Sequence, residues 1–192
     1  MSDPLQDDVA LYRRALDGFS AVVARVPAGR WEAQSPCEDW KAIEVVGHVV
    51  GVQHYVRSVV TGAAMPASRP SPRESAGVDP AGAFVAAKAE VVAALAAPEN
   101  LARVVATPFG QMPAGQFVGV LVLDALTHTW DLARATGLSV TLDPELVSIC
   151  FARVRPMDEM LRRPGTFGAK REAPEGADEG TRLMAFLGRD VS

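Results

Sequence analysis

Leu5, Val9, Tyr12, Leu16, Phe19, Val23 and Val26 recur at alternating steps of four and three. That spacing lines apolar side chains along one stripe of an α-helix, and the stripe stays in water until another helix covers it. The seam predicts a first helix from about Pro4 to Arg25. A second stripe follows in Val45, Val49, Val52, Val56 and Val59, flanked by His48 and Tyr55. Asp39, just before Trp40, is the N-cap expected for this second helix, and Gly62 is its expected end. Two such stripes in one short chain commit it to helix-on-helix packing.

The rest of the chain agrees. The stretch from Ala63 to Asp79, with prolines at 66, 70 and 72, reads as a long loop. Phe84, Val91 and Leu95 share one side of a third helix from Pro80 to Ala97, which Pro98 stops. Residues 103–107 have the composition of a short strand, too little for a sheet, and Pro108, Gly110 and Pro113 turn the chain after it. A fourth helix is predicted from about Gly115 to Thr136, closed by Gly137. A fifth starts near Asp143 with Pro144 in its first turn and carries Leu146, Ile149, Val154, Met157 and Leu161 on its apolar side. Arg162 and Arg163 suit its negative C-terminal end. Residues 181–188 form a short apolar segment expected to dock back on the bundle. The predicted class is all-α: a four-helix bundle with an additional C-terminal helix and at most a short β element, one domain over residues 1–192.

Composition removes several function classes. A formal net charge of -4 and a pI near 5.4 leave no basic surface of the kind that neutralises nucleic-acid phosphates. Two cysteines, Cys37 and Cys150, make no disulfide framework. The acidic start MSDPLQDD is unlike a secretory leader, and no apolar run approaches the roughly 20 residues of a membrane span, so a cytoplasmic protein is expected. The chain has no Gly-rich phosphate loop, no Gly-x-Ser-x-Gly elbow and no Cys-x-x-Cys pair.

What remains is metal chemistry. Asp124 and His128 lie four residues apart in the fourth helix and therefore one above the other on its surface. Leu121, Ala125 and Leu132 fall on the same face, so a carboxylate and an imidazole point where the apolar residues point. A buried, unpaired carboxylate would cost several kcal/mol. A divalent ion shared by Asp124, His128 and His48 of the second helix would compensate it and leave a coordination position for water or substrate. The competing reading has Asp124 paired with an arginine and His128 as a satisfied core histidine; spacing alone leaves both open.

Other candidates are weighed in the same way. Glu44, four residues before His48, is either a further ligand or a helix-face charge near Lys41. His54 is turned away from His48 and reads as surface. Asp131 either fixes the His128 ring or pairs with Arg134. Cys37 is either a thiolate at a helix start or a small buried hydrophobe. Trp40 and Trp130 are core or pocket wall. Arg57 and Arg134 are substrate clamps or surface charges.

Residues 35–40 (Ser-Pro-Cys-Glu-Asp-Trp), followed by Glu44 to His48, resemble the "PC-x-x-W...L-x-x-H" signature of the mycothiol-dependent maleylpyruvate isomerase family within the DinB/YfiT-like metal-binding superfamily. The segments 124–137 and 182–190 agree with it, so the resemblance spans nearly the whole chain. It implies a four-helix bundle holding a divalent metal, often zinc and sometimes nickel, by one ligand from the second helix and two from a later one. His48 and His128 match the first and last ligands, and Asp124 stands where many relatives have Glu or His. The family enzyme also carries a C-terminal domain for which this chain has no room, so maleylpyruvate isomerisation itself is not an expected carry-over.

Three functions are open at this point. The first is a metal-dependent transferase or isomerase that joins a low-molecular-weight thiol such as mycothiol to a small electrophile. The second is a non-catalytic bundle that binds a metal or a small molecule. The third is a metal-free helical module, a homodimer through the faces of helices one and five.

Overall fold

The predicted first helix is present as α1 (Pro4–Val23), started by the Asp3 carboxylate, which accepts from the Leu5 amide, and by Pro4 in its first turn. The structure is a computed structural model that describes residues 3–64, 68–107, 110–162 and 167–192. Pro66, Pro108 and Arg163, assigned above to a loop, a turn and a helix end, lie outside the described residues. The chain divides into two compact units, residues 1–139 and 140–192.

In the first unit, α1 packs with α4 (Pro80–Ala94) and the helix pair α6 (Ala114–Val120) and α7 (Val122–Thr136), and α2 (Ala42–Thr61) packs on α4 and α7. These make the four-helix bundle. Its core holds Leu16 and Phe19 of α1, Phe84 and Val91 of α4, and Phe117 and Leu132 of α6 and α7, all buried, with the Phe19 and Phe84 rings 4.9 Å apart. The α2 and α7 helices both end at a glycine in the left-handed region, Gly62 at φ 72° and Gly137 at φ 74°. Only glycine adopts that conformation without a Cβ penalty.

Several boundaries differ from expectation, each for a local reason. The N-cap of α2 is Lys41, not Asp39: Glu44 reaches back so that its carboxylate accepts the Lys41 amide at 2.7 Å. The buried stripe of α2 is Val46, Val49, Gln53, Val56 and Val60, while Val52 and Val59 are half-buried, because α2 packs against α4, α7 and the residues 72–76. The long loop contains a five-residue helix, α3 (Pro72–Ala76), capped by Ser71 and Glu74 in a reciprocal box. The α4 helix ends at Ala94, short of the expected Ala97, and Pro98 opens α5 (Pro98–Ala102) instead of stopping α4. The single strand is half of a hairpin: β1 (Val104–Thr107) pairs antiparallel with β2 (Gly110–Pro113), Val105 opposite Met112. The fourth helix is interrupted at Leu121, which is why it counts as α6 and α7.

In the second unit, Asp143 caps α8 (Pro144–Val154) as expected. Pro156, which has no N–H to donate, ends α8 in a tight turn before α9 (Asp158–Leu161). The final apolar segment is α10 (Glu179–Phe186), which packs on α8. Arg162 joins α9 to α10 by donating to Asp158 and to the Phe186 carbonyl at 2.7 Å. Among the described residues no helix is long and apolar enough to cross a membrane.

Candidate metal centre

The α2 and α7 helices run antiparallel and bring the three predicted ligands together. His48 Nε2 lies 3.0 Å from Asp124 Oδ1, and His128 Nε2 lies 3.6 Å from the same oxygen. All three donor atoms fall within 4.8 Å of one another. Among the described residues the ion-pair partners of Asp124 are these two histidines, so the arginine pairing weighed above is not what the fold makes. His128 is buried, while the side chains of His48 and Asp124 are each 27% exposed. The cluster therefore has a dry back wall and a wet front.

The far nitrogen of His128 is also held. Nδ1 lies 3.0 Å from Asp131 Oδ2, and Asp131 is fully buried. A ring that donates Nδ1–H to a carboxylate is held with its Nε2 toward Asp124, which is how outer carboxylates orient metal-binding histidines. The Cys37 thiol donates to the same Asp131 oxygen at 3.3 Å. Cys37 is half-buried and tied through Asp131 to His128, a link that neither of its predicted roles contains.

Cys37 and Trp40 reach the centre because the segment before α2 is knitted to itself. Gln34 Nε2 donates to the Glu38 carbonyl at 2.9 Å and the Trp40 carbonyl at 3.1 Å, and the Ser35 hydroxyl accepts the Cys37 amide. Trp40 then lies with its ring centroid 4.7 Å from that of His48 and 5.6 Å from that of His128, a wall over both imidazoles. The other candidates are placed elsewhere. Glu44 caps α2, half-exposed His54 and Arg57 face Glu90, and Arg134 lies over the Trp130 ring.

Charge explains the titration of the cluster. Burial works to raise the Asp124 carboxyl, but the His128 and His48 rings outweigh it and hold Asp124 well below the usual carboxylate range. Burial likewise works to lower His128, and Asp124, with the hydrogen bonds that the ring makes to Asp131 and Cys37, overrides it and holds His128 well above the usual imidazole range. Without a metal the cation that this oxygen-rich pocket requires is a proton on His128. A divalent ion fits the same donor set, since two imidazole nitrogens and one carboxylate oxygen are a common ligand combination for zinc. Binding it displaces that proton, so zinc affinity should rise about tenfold per pH unit while His128 is still protonated before binding, and level off above its pKa. Zinc titrations between pH 6 and 8 would show it; an affinity indifferent to pH would contradict a proton displaced from this ring.

Asp131→Asn is expected to keep the fold and weaken zinc binding by about 10- to 100-fold, because a neutral amide is a poorer acceptor for Nδ1–H. Competition against a zinc chelator reads this directly. An unchanged affinity would mean that the 3.0 Å contact does not orient the ring.

Residues 12–133 match the family model described as the mycothiol maleylpyruvate isomerase N-terminal domain, a span that contains His48, Asp124, His128, Cys37 and Asp131. Two proteins from strains of Mycobacterium tuberculosis, both called uncharacterized, are 34% identical over 187 residues, covering 96% of this chain and 99% of theirs. The fold is similar to the crystal structure of a mycothiol-dependent maleylpyruvate isomerase, with a TM-score of 0.61 at 17% identity over 79% of this chain and 70% of that one. A histidine-to-alanine mutant of such an isomerase gives 0.59 at 16% identity, over 85% and 75% of the two chains. With its bundle unit matched almost end to end, the chain belongs to the mycothiol maleylpyruvate isomerase N-terminal domain family.

Proposed function

We infer that this protein binds a divalent metal, zinc or nickel, through His48, Asp124 and His128, and uses it in a thiol-dependent transferase or isomerase reaction on a small electrophile. The observation that carries this reading is the convergence of three donor atoms from two facing helices within 4.8 Å. Membership of a family named for mycothiol supports the choice of a low-molecular-weight thiol as cosubstrate. When bound, such an ion supplies Lewis acidity that favours the thiolate over the thiol at neutral pH.

The residues around the donors have separate tasks. Asp131 holds His128 in the tautomer whose Nε2 is free to ligate, and Cys37 holds Asp131. Trp40 covers the two imidazoles and keeps water from their faces. The exposed edges of His48 and Asp124 mark the side from which small molecules reach the centre.

Two measurements on one preparation test this. Elemental analysis of protein purified without added metal should find close to one zinc or nickel per chain. The loaded protein should then consume mycothiol in the presence of an electrophile such as monochlorobimane, and the stripped protein should not. A chain that takes up no divalent ion ends the metal reading. A loaded chain that consumes no thiol across a panel of electrophiles leaves a binding protein.

A further inference from the structure

Tyr12 is the one buried phenol of the bundle core, 1% exposed, and its hydroxyl has no hydrogen-bond partner among the described residues. Most buried hydroxyls are paired, and one left unpaired carries the full cost of its lost water. On α7, Thr129 and Thr136 show the ordinary solution by donating to the carbonyls four residues back, each at 2.7 Å, whereas Thr127 shares the unpaired state of Tyr12. A tyrosine cannot reach its own backbone in that way, so its partner has to come from across the core.

The position of Tyr12 follows from close contacts elsewhere on α1. A Cβ on Gly115 would meet Leu5, and one on Gly119 would meet Asp8, so α1 and α6 run side by side in the same direction. Continued by one turn, that register sets Tyr12 level with the first turn of α7, which holds Asp124. The chemistry agrees with the placement. Burial raises the Tyr12 phenol well above its usual range, and the Asp124 charge raises it further, which keeps it a neutral donor and not a base.

We propose that the Tyr12 hydroxyl is the hydrogen-bond donor for a small molecule bound at the His48–Asp124–His128 centre, meeting the acceptor atom, sulfur or oxygen, that this molecule directs into the bundle. The assignment rests on the metal-site reading above. It makes Tyr12 a binding residue on α1, a helix that supplies none of the three metal donors. It also gives the unpaired hydroxyl a use that the free protein does not provide.

Tyr12→Phe removes one oxygen and keeps the ring. The test uses the cobalt(II)-loaded protein, whose absorption reports its ligands, titrated separately with N-acetylcysteine for a sulfur acceptor and acetate for an oxygen acceptor. Tyr12→Phe is expected to retain one cobalt per chain and to bind the acceptor that wild type binds about tenfold more weakly. In the metal-free state the same variant should melt no lower than wild type, and up to roughly 2–4 °C higher, since an unpaired hydroxyl has been removed. A merely structural tyrosine would give the opposite result in the metal-free state. Wild type that takes up acetate but no thiol overturns the thiol reading, and the acetate comparison then decides Tyr12. Equal affinity of variant and wild type for whichever probe binds overturns the proposal, as does a loaded wild type that binds neither.

Discussion

His128→Ala is expected to abolish stoichiometric zinc, with an affinity loss larger than the 10- to 100-fold typical of removing a ligand's outer partner. His128 is where the whole centre is anchored. Its Nε2 faces Asp124, its Nδ1 faces Asp131, and its ring lies 4.7 Å from that of His48 and 5.6 Å from that of Trp40. Truncation removes one of the three proposed ligands and leaves Asp131, fully buried, without the imidazole it accepts from. The metal-free variant should therefore be destabilised as well, because a buried carboxylate that loses a partner costs several kcal/mol. His48→Ala should remove zinc with less damage to the fold, since His48 stands at the exposed edge of the cluster. His54→Ala is the control. Its side chain is 52% exposed and faces Glu90, and its loss should leave metal content and stability unchanged. Elemental analysis and thermal melts of the three variants decide the matter: zinc retained by His48→Ala or His128→Ala would show that the ligand set is wrong.

That these three side chains converge was partly legible in the sequence, although spacing alone left the arginine pairing of Asp124 open. Asp124 and His128 share a face by the four-residue step, and His48 sits in an apolar stripe that has to meet another helix. Cys37 was not legible. It precedes α2 in an irregular segment, and its contact with Asp131 depends on the side-chain bonds of Gln34 and Ser35, which no periodicity reports. Asp131 was ambiguous for a related reason: spacing offers it both His128 and Arg134, and only the fold brings in Cys37 as well. Tyr12 was hidden by its own pattern. A tyrosine on a helix seam reads as one more core residue, and whether its hydroxyl finds a partner is a tertiary question.

Some elements carried a signal that the apolar pattern masked. Ser71, Pro72 and Glu74 spell a capping box with proline in the first turn, the signature of a helix start, inside a segment whose prolines otherwise suggest a loop. Pro156 likewise marks the end of α8, although Val154, Met157 and Leu161 keep helical spacing across it. In both places local backbone chemistry outweighs hydrophobic periodicity. The consequence reaches the metal centre, because α3 packs on α2 beside His48.

That packing has one point of failure. A Cβ on Gly47 would lie 1.7 Å from the Pro72 carbonyl oxygen and 2.6 Å from its carbon, distances that backbone atoms cannot relieve by rotating a side chain. Overpacking in Gly47→Ala is therefore expected to cost about 2–3 kcal/mol, the upper part of the range for a tight contact. The gain in helix propensity on replacing glycine, of order 1 kcal/mol, opposes this but is smaller. For a domain of this size the net change, about 1–2 kcal/mol, corresponds to a fall in Tm of roughly 2–8 °C. The alternative relief is for α3 to lift off α2, which would spare the melting temperature and expose the buried Ala76. Hydrogen exchange separates the two, since lifting unprotects the amides of Ser75 and Gly77, which bond back to Ser71 and Arg73. Either route disturbs the residue next to His48, so zinc affinity should fall in parallel. Gly51→Ala is the matched comparison, because its Cβ would find only the Ser75 hydroxyl at an ordinary 3.7 Å. If Gly47→Ala and Gly51→Ala behaved alike in melting, exchange and zinc binding, the close approach of α3 to α2 would be refuted.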